Sequence, residues 1–338
     1  MKTIKTVDAV GHVLCHDITQ IIKGQKDDAI FRKGHIVTKE DIPVLLSIGK
    51  ENLYVWEKAE GMLHENEAAE ILYQVCKNKY MSPTDVKEGK ISIVAEAEGL
   101  LKIDKKRLYE MNAMGEIIIA TIHGNQPVKK GDILAGTRVV PLVIAAEKME
   151  QVKAIWNQVP LFEILPFTRK KGAIITTGSE VYYGRIKDTF GPVIRDKVSE
   201  YGVEIISQSI LNDEADKITE GIIKAIEEGA EIVFCTGGMS VDPDDTTPSA
   251  IKNTGARVVT YGAPVLPGAM FLLAYYNDIP ILGLPGCVMY AKRTIFDLIL
   301  PRVLGNDLIT NGDIAELGHG GLCLNCKVCT FPNCGFGK

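Results

Sequence analysis

Short apolar segments alternate with amphipathic segments in the C-terminal half of the chain, and this alternation restricts the fold more than any other feature. Apolar runs such as GAIITTG and EIVFC have the length of strands. Between them, the isoleucines from Ile218 to Ile226 lie on one helical face, and Gly229 is placed to end that helix. Strands that alternate with helices predict a largely parallel sheet covered by helices on both faces.

The length and composition indicate a globular protein with several domains. The chain has 338 residues, a net charge of −5 and no long basic run, which argues against nucleic acid as a partner. We predict a small α+β segment over 1–60, a mainly β domain over 61–165, the α/β region over 171–304 and a cysteine-rich tail over 317–338. No apolar run reaches the roughly 18 residues of a membrane span. The N-terminal residues lack the apolar core of a signal peptide, so we expect a cytoplasmic protein without a membrane partner.

Three loops rich in glycine and hydroxyl residues follow apolar strands of the α/β region. They are TTGSEVYYGRIKDTFGP, TGGMSVDPDDTTP and LPGCVMYAKR. In parallel sheets, ligands bind where loops leave the carboxyl ends of the strands. Gly237 and Gly238 would let backbone N–H groups approach an anion, and hydroxyl donors are available from Thr176, Thr177, Ser179 and Ser240. Each loop alone is also typical of an ordinary β–α turn, but together they favour one shared pocket.

Aspartates accompany these loops. A phosphate disfavours bare carboxylates beside it, so Asp188, Asp244 and Asp245 make chemical sense if a hard cation lies between them and the anion. Mg²⁺ takes one or two carboxylates together with substrate oxygens and water. The alternative is a solvated acidic loop, or a cap for the helix expected near Pro248. Arg185, Lys187 and Arg293 lie in or beside the loops, either as phosphate partners or as ordinary surface charges.

The order of these motifs resembles the molybdopterin-binding domain of molybdenum-cofactor biosynthesis proteins. TTGSE, KDTFGP, the Asn-Asp of SILNDEAD, CTGGMSVDPDDTTP, LPGAMF and GLPGCVMYAKRTIF follow one another over about residues 171 to 304. The family includes molybdopterin adenylyltransferases and molybdopterin molybdenumtransferases. The resemblance implies a three-layer α/β/α sandwich, preceded here by a mixed α+β region and followed by a cysteine-rich tail. The implied ligand is molybdopterin, a pterin with a dithiolene and a terminal phosphate, or its adenylated form.

The resemblance also implies site residues. Asp188 and Asp245 match catalytic positions, and Asp245 would hold Mg²⁺. The matching cofactor-binding positions are Thr177, Gly178, Ser179, Asp213, Gly237, Gly238, Ser240, Asp244, Pro267, Gly268, Pro285 and Gly286. The chain departs from the family in two places: the Ser-x-Met-Asp-Gly-Tyr-Ala signature of the transferases does not occur in residues 1–60, and Asp242 stands where those loops usually carry glycine.

Two principal functions follow from this resemblance. The first is a transferase that binds adenylated molybdopterin with Mg²⁺, inserts molybdate into the dithiolene and releases AMP. The alternative is a non-catalytic protein that binds molybdopterin or the finished cofactor and delivers it to a molybdoenzyme. A nucleotide pyrophosphatase on the same domain is a third interpretation. The resemblance further implies a homo-oligomer.

The tail HGGLCLNCKVCTFPNC has the spacing of metal ligands. It holds Cys323, Cys326, Cys329 and Cys334, and thiolates three residues apart can face one ion or cluster. A disulfide is disfavoured in the cytoplasm. Both an iron–sulfur cluster and a structural Zn²⁺ suit four thiolates, and the overlapping C-x₂-C steps favour the cluster because zinc ribbons usually separate theirs. Sulfur or molybdenum handling, or a docking or redox role, is a further alternative.

Overall fold

The computed structural model describes residues 2–19, 29–55, 61–240 and 245–338. The chain forms two compact units. The N-terminal unit comprises Met1–Ala97, Ile103–Ile122 and Lys130–Glu163, and the C-terminal unit comprises Glu98–Lys102, His123–Lys129 and Ile164–Lys338. The four-segment division of the sequence remains a prediction.

The N-terminal unit combines small antiparallel sheets with short helices. Its largest sheet contains, in order, Met81–Pro83, Ile91–Ala95, Ile133–Val139 and Ile117–Thr121. Three two-stranded sheets pair Lys2–Lys5 with Asn52–Val55, Ile18–Thr19 with Ala29–Phe31, and Met62–His64 with Val143–Ala145. The α-helices are Asp41–Ser47, Glu65–Cys76, Lys105–Ala113 and Ala146–Trp156, and Thr6–Asp8 is a 3₁₀ turn.

The sequence alone predicts that short strands dominate residues 89–142, in segments such as ISIVAEA and EIIIATI. The structure also contains the helix Lys105–Ala113 there. The Asp104 carboxylate begins this helix, because it accepts the Arg107 backbone N–H at 3.0 Å and the Arg107 Nε–H at 2.8 Å. The Asp104 cap therefore favours a helix where the sequence pattern indicated strands.

A six-stranded sheet organises the C-terminal unit. Its strand order is Glu204–Leu211, Lys171–Thr177, Ile232–Thr236, Ile279–Leu284, Leu272–Tyr276 and Arg257–Tyr261. The first four strands are parallel, and each of the last two is antiparallel to its neighbour, which confirms the expected largely parallel sheet. A separate three-stranded sheet contains Gln126–Val128, Gly99–Ile103 and Phe162–Pro166.

Helices cover both faces of the six-stranded sheet. On one face, Ile174 and Phe234 share a core with residues of the helices Phe190–Ser199 and Ile295–Leu304. On the other face, the neighbouring strand residues Ile175 and Val233 pack against the helices Ala215–Glu227 and Thr247–Asn253. Successive strand residues therefore point to opposite cores. This arrangement is the expected three-layer α/β/α sandwich.

The sequence alone predicts a last long helix from about Val288 to Leu304. In the structure this helix begins later and spans Ile295–Leu304, and a 3₁₀ turn occupies Gly286–Met289. Thr294 caps the helix: its hydroxyl accepts the Phe296 N–H at 3.2 Å, and Asp297 accepts the Thr294 N–H at 2.8 Å. Residues 285–294 consequently form an extended loop after the fourth parallel strand.

The tail belongs to the C-terminal unit. A short helix, Asn311–Glu316, precedes it. The Cys323 N–H donates to the Leu266 carbonyl at 2.8 Å, and the Leu266 N–H donates to the Gly321 carbonyl at 2.8 Å. Phe336 is buried in the same core as the sheet. Among the described helices, none has the length and apolar character that crossing a membrane requires.

Candidate functional site

The four parallel strands of the C-terminal unit end in register. Thr177 pairs with Leu211, Thr176 pairs with Thr236, and Thr236 pairs with Leu284. The loops that follow these residues therefore leave the sheet at one edge. The last strand, Arg257–Tyr261, runs in the same direction as the Ile279–Leu284 strand, so the segment that carries Pro267 and Gly268 leaves at this edge as well.

The Gly237–Gly238 turn lies directly against the end of the strand Lys171–Thr177. Both residues have positive φ angles, +87° and +54°. A Cβ on Gly237 would lie 2.1 Å from the Thr177 carbonyl oxygen, and one on Gly238 would lie 2.9 Å from Thr247 Oγ1. The Thr247 hydroxyl donates to the Gly237 carbonyl at 2.9 Å and lies 3.0 Å from Thr177 Oγ1. Both positions therefore require glycine, because the backbone has a positive φ angle and there is no room for a Cβ atom.

Two buried polar atoms at this edge lack a hydrogen-bond partner within the described part of the chain. They are the Thr236 hydroxyl, at the end of the third parallel strand, and the Asn212 side-chain oxygen, just after Leu211. The sequence analysis named neither as a site residue, although Asn212 belongs to the Asn-Asp motif of SILNDEAD. Because an unpaired buried polar group costs free energy, these atoms are candidates to bind a ligand.

The Asp188 carboxylate accepts hydrogen bonds from groups of the protein itself. It accepts the backbone N–H of Phe190 at 2.9 Å and that of Gly191 at 3.2 Å. Gln208 donates to the same carboxylate at 2.7 Å and to Thr176 Oγ1 at 3.2 Å. Asp188 therefore anchors the start of the helix Phe190–Ser199 to the sheet. Gln208 was not predicted as a site residue, since its strand pattern gives no signal of this role.

Asp213 connects two of the loops. Its carboxylate accepts the Ser179 N–H at 2.8 Å, at the start of the short helix Ser179–Tyr182. Its backbone carbonyl accepts the Thr246 hydroxyl at 2.9 Å. Gly178, with φ +137°, donates its N–H to the Leu211 carbonyl at 3.2 Å. The predicted residues Gly178, Ser179 and Asp213 are thus brought together.

The acidic end of the second loop lies near Tyr261. The Tyr261 hydroxyl donates to the carbonyls of Met239 and Ser240, both at 3.2 Å. Burial and the nearby Asp245 carboxylate raise the pKa of Tyr261. Tyr261 was not predicted as part of the site. Asp242 and Asp244 lie outside the described residues.

The two Pro-Gly pairs differ in their surroundings. Gly268 has φ +130°, and a Cβ there would lie 2.5 Å from Ile295 Cγ2, so this turn packs tightly against the helix Ile295–Leu304. Pro285 is buried, whereas Gly286 is exposed and a Cβ there would meet nothing within 4 Å. The Gly286 backbone is therefore open to a ligand.

The basic residues near the loops have separate environments. Arg185 and Lys187 are exposed, and the Arg185 guanidinium lies 5.4 Å from the Tyr183 ring centre. Arg293 instead pairs with the buried Asp297 carboxylate at 2.8 Å. Tyr182, Tyr183 and Tyr290 are exposed in the first and third loops.

The four tail cysteines line one pocket of about 300 Å³, which Lys292 and Arg293 also line. Cys326 and Cys329 are exposed, and Cys323 and Cys334 are partly buried. Over the described ranges, no three His, Cys, Asp or Glu side chains lie close enough together to hold one metal ion.

Comparison with protein families identifies the sheet domain. A family model described as a probable molybdopterin binding domain matches residues 173–305. A second model, of a domain of unknown function, matches residues 3–57.

Curated relatives match the same region. A molybdopterin molybdenumtransferase of Staphylococcus epidermidis is 28% identical over 121 residues, 34% of this chain and 29% of that protein. One of Staphylococcus aureus is 27% identical over 175 residues, 49% of this chain and 38% of that protein. A CinA-like protein of Mycobacterium avium is 30% identical over 101 residues, 30% of this chain and 23% of that protein. The chain thus covers well under half of the length of each of these relatives.

Solved structures with a similar region include the molybdopterin biosynthesis enzyme MoaB from Thermus thermophilus. It is 19% identical, with a TM-score of 0.32, over 39% of this chain and 91% of that chain. The family match and the motifs that the loops bring together agree, and residues 173–305 of this chain match a probable molybdopterin binding domain.

Proposed function

We propose that the protein binds adenylated molybdopterin with Mg²⁺, inserts molybdate into the dithiolene and releases AMP. The observation that carries this proposal is the Gly237–Gly238 turn, whose bare backbone lies where four parallel strands end in register. Backbone N–H groups at such an edge can bind phosphate oxygens. The names of the curated relatives support a transferase, although the chain covers only part of their length.

Each loop would contact a different part of the ligand. The Gly237–Gly238 turn would hold the phosphates, because no side chain stands between its backbone and a ligand. The Thr236 hydroxyl would donate a hydrogen bond that it does not make within the described part of the protein. The exposed Gly286 backbone would contact the ligand from the third loop, and Pro267 and Gly268 would border the pterin.

Asp245 would hold Mg²⁺ against the phosphates. Mg²⁺ needs only one or two protein carboxylates, because substrate oxygens and water complete its coordination. A single carboxylate at the end of the loop therefore suits this ion, even though no three acidic or other donor side chains converge among the described residues. When bound, the ion would offset the charge that develops on the phosphates as the phosphoanhydride is cleaved.

The test is AMP release by the purified protein from adenylated molybdopterin in the presence of Mg²⁺ and molybdate. We expect release to depend on molybdate and to fall by about 100-fold or more in Asp245→Asn, the usual scale for losing one electrostatic contribution to a transition state. The matched control is Asp278→Asn, because Asp278 is exposed on the hairpin turn between Leu272–Tyr276 and Ile279–Leu284, at the opposite edge of the sheet. Wild-type protein that binds the ligand without releasing AMP would contradict the transferase.

A second function, binding and delivery without turnover, is favoured by the hydrogen bonds of two predicted site aspartates. Asp188 and Asp213 both use their carboxylates to hold backbone N–H groups of the protein. The two functions differ in their products. A delivery protein would bind molybdopterin tightly in a calorimetric titration and pass it to a molybdoenzyme, but it would not produce AMP.

A further inference from the structure

The pocket lined by the cysteine tail is a feature built by the fold, separate from the glycine loops. The backbone hydrogen bonds between Cys323 and Leu266, and between Leu266 and Gly321, attach the tail to the segment before Pro267. Cys323, Phe331 and Cys334 pack against the core of the sheet. The tail is therefore attached to the rest of the unit at Cys323, Phe331 and Cys334.

The overlapping C-x₂-C steps of the tail favour an iron–sulfur cluster over a single metal ion. A single Zn²⁺ holds each thiolate at about 2.3 Å, which brings the sulfur atoms to about 3.8 Å from one another. No group of three such donors in the described chain converges in this way. All four thiols nevertheless line the same pocket of about 300 Å³. An iron–sulfur cluster spreads its four cysteine ligands over several iron atoms and so accepts a wider arrangement.

Two basic side chains, Lys292 and Arg293, also line the pocket. Lys292 Nζ donates to the Lys327 carbonyl at 2.9 Å, and the Arg293 guanidinium lies 4.9 Å from the Phe331 ring centre. Lys292 thus bonds to the tail, and Arg293 contacts the tail while it pairs with Asp297.

We propose that this pocket binds an iron–sulfur cluster through Cys323, Cys326, Cys329 and Cys334. The proposal is independent of the transferase activity, because it concerns a separate set of residues. It also places the cluster beside the chain segment that leads into Pro267 and Gly268.

The experiment uses the full-length protein, purified without oxygen and then incubated with Fe³⁺, sulfide and a thiol reductant. Iron, acid-labile sulfide and zinc are measured, and the visible absorption spectrum is recorded before and after dithionite. We expect iron and sulfide in equal amounts and an absorption band that dithionite bleaches. Cys326→Ser and Cys329→Ser change exposed thiols, so they should fold normally by circular dichroism yet lose most of the iron and sulfide.

The matched control is Cys287→Ser, which changes a partly buried cysteine outside the tail pocket and should retain the cluster. Stoichiometric zinc that excludes iron would overturn the proposal in favour of a single-ion site. Failure of the folded wild-type protein to take up either metal, or full iron content in both tail variants, would also overturn it.

Discussion

Replacing Gly237 with alanine tests whether the Gly-Gly turn is built as the structure indicates. The new Cβ would lie 2.1 Å from the Thr177 carbonyl oxygen, a backbone atom that cannot rotate away. Gly237→Ala therefore combines two costs: about 1–2 kcal/mol for an L-residue in the left-handed region, and about 1–3 kcal/mol for overpacking. Together these predict a loss of about 2–5 kcal/mol in the free energy of unfolding.

The control for this variant is Gly255→Ala. Gly255 lies in the same domain and has nearly the same φ, +83° against +87°, but a Cβ there would meet nothing within 4 Å. Its cost should be limited to the backbone conformation, so the two variants should differ by the overpacking cost of about 1–3 kcal/mol.

The assay is urea unfolding followed by circular dichroism, with hydrogen exchange to locate the destabilised segment. We expect faster exchange around Ile232–Thr236 and Thr247–Asn253 in Gly237→Ala, and weaker binding of molybdopterin. Gly255→Ala should bind the ligand as the wild type does. Equal stability of the two variants would refute the tight contact with Thr177, and unchanged ligand affinity in Gly237→Ala would remove this turn from the site.

Two further predictions concern polar side chains of the C-terminal unit. Thr236→Val removes a hydroxyl without a partner in the described structure, so the free energy of unfolding should rise by about 1 kcal/mol. The affinity for molybdopterin, measured by calorimetry, should fall in this variant. An unchanged affinity would exclude the Thr236 hydroxyl from the site. Although burial opposes it, hydrogen bonds from Thr310 and Arg302 lower the pKa of Asp313 from 3.8 to about 2. The stabilisation is therefore complete above the ordinary pKa and is lost as the pH falls towards 2, so Asp313→Asn should be less stable than the wild type at neutral pH but show a flatter pH dependence.

Some properties of the site were accessible from the sequence because they depend on local chemistry. Glycine pairs after apolar strands predicted a tight turn, and Gly237 and Gly238 do adopt positive φ angles. The motifs placed the loops in their family order, and the family model matches the same region. The start of the last helix was predicted wrongly, because the prediction did not take account of the Thr294 and Asp297 cap that begins this helix at Ile295.

Other properties depend on residues far apart in the chain. The partner that excludes a side chain at Gly237 is Thr177, and the group that pairs with Asp188 is Gln208. Neither relation has a sequence signal, because strand register alone brings these positions together. The attachment of the cysteine tail to Leu266 is of the same kind, since a C-terminal segment contacts a loop that precedes it by more than fifty residues.

The sequence by itself therefore determined the sandwich fold, the order of the loops and the residue types available for phosphate and metal. These follow from periodicity, backbone preference and ligand chemistry, which act over short stretches of chain. The tertiary structure decided which groups meet: it directs Asp188 and Asp213 towards the protein's own backbone and leaves the Thr236 hydroxyl without a partner among the described residues. It also gathers four thiols around one pocket. Packing and strand register set these contacts, and both are properties of the whole domain.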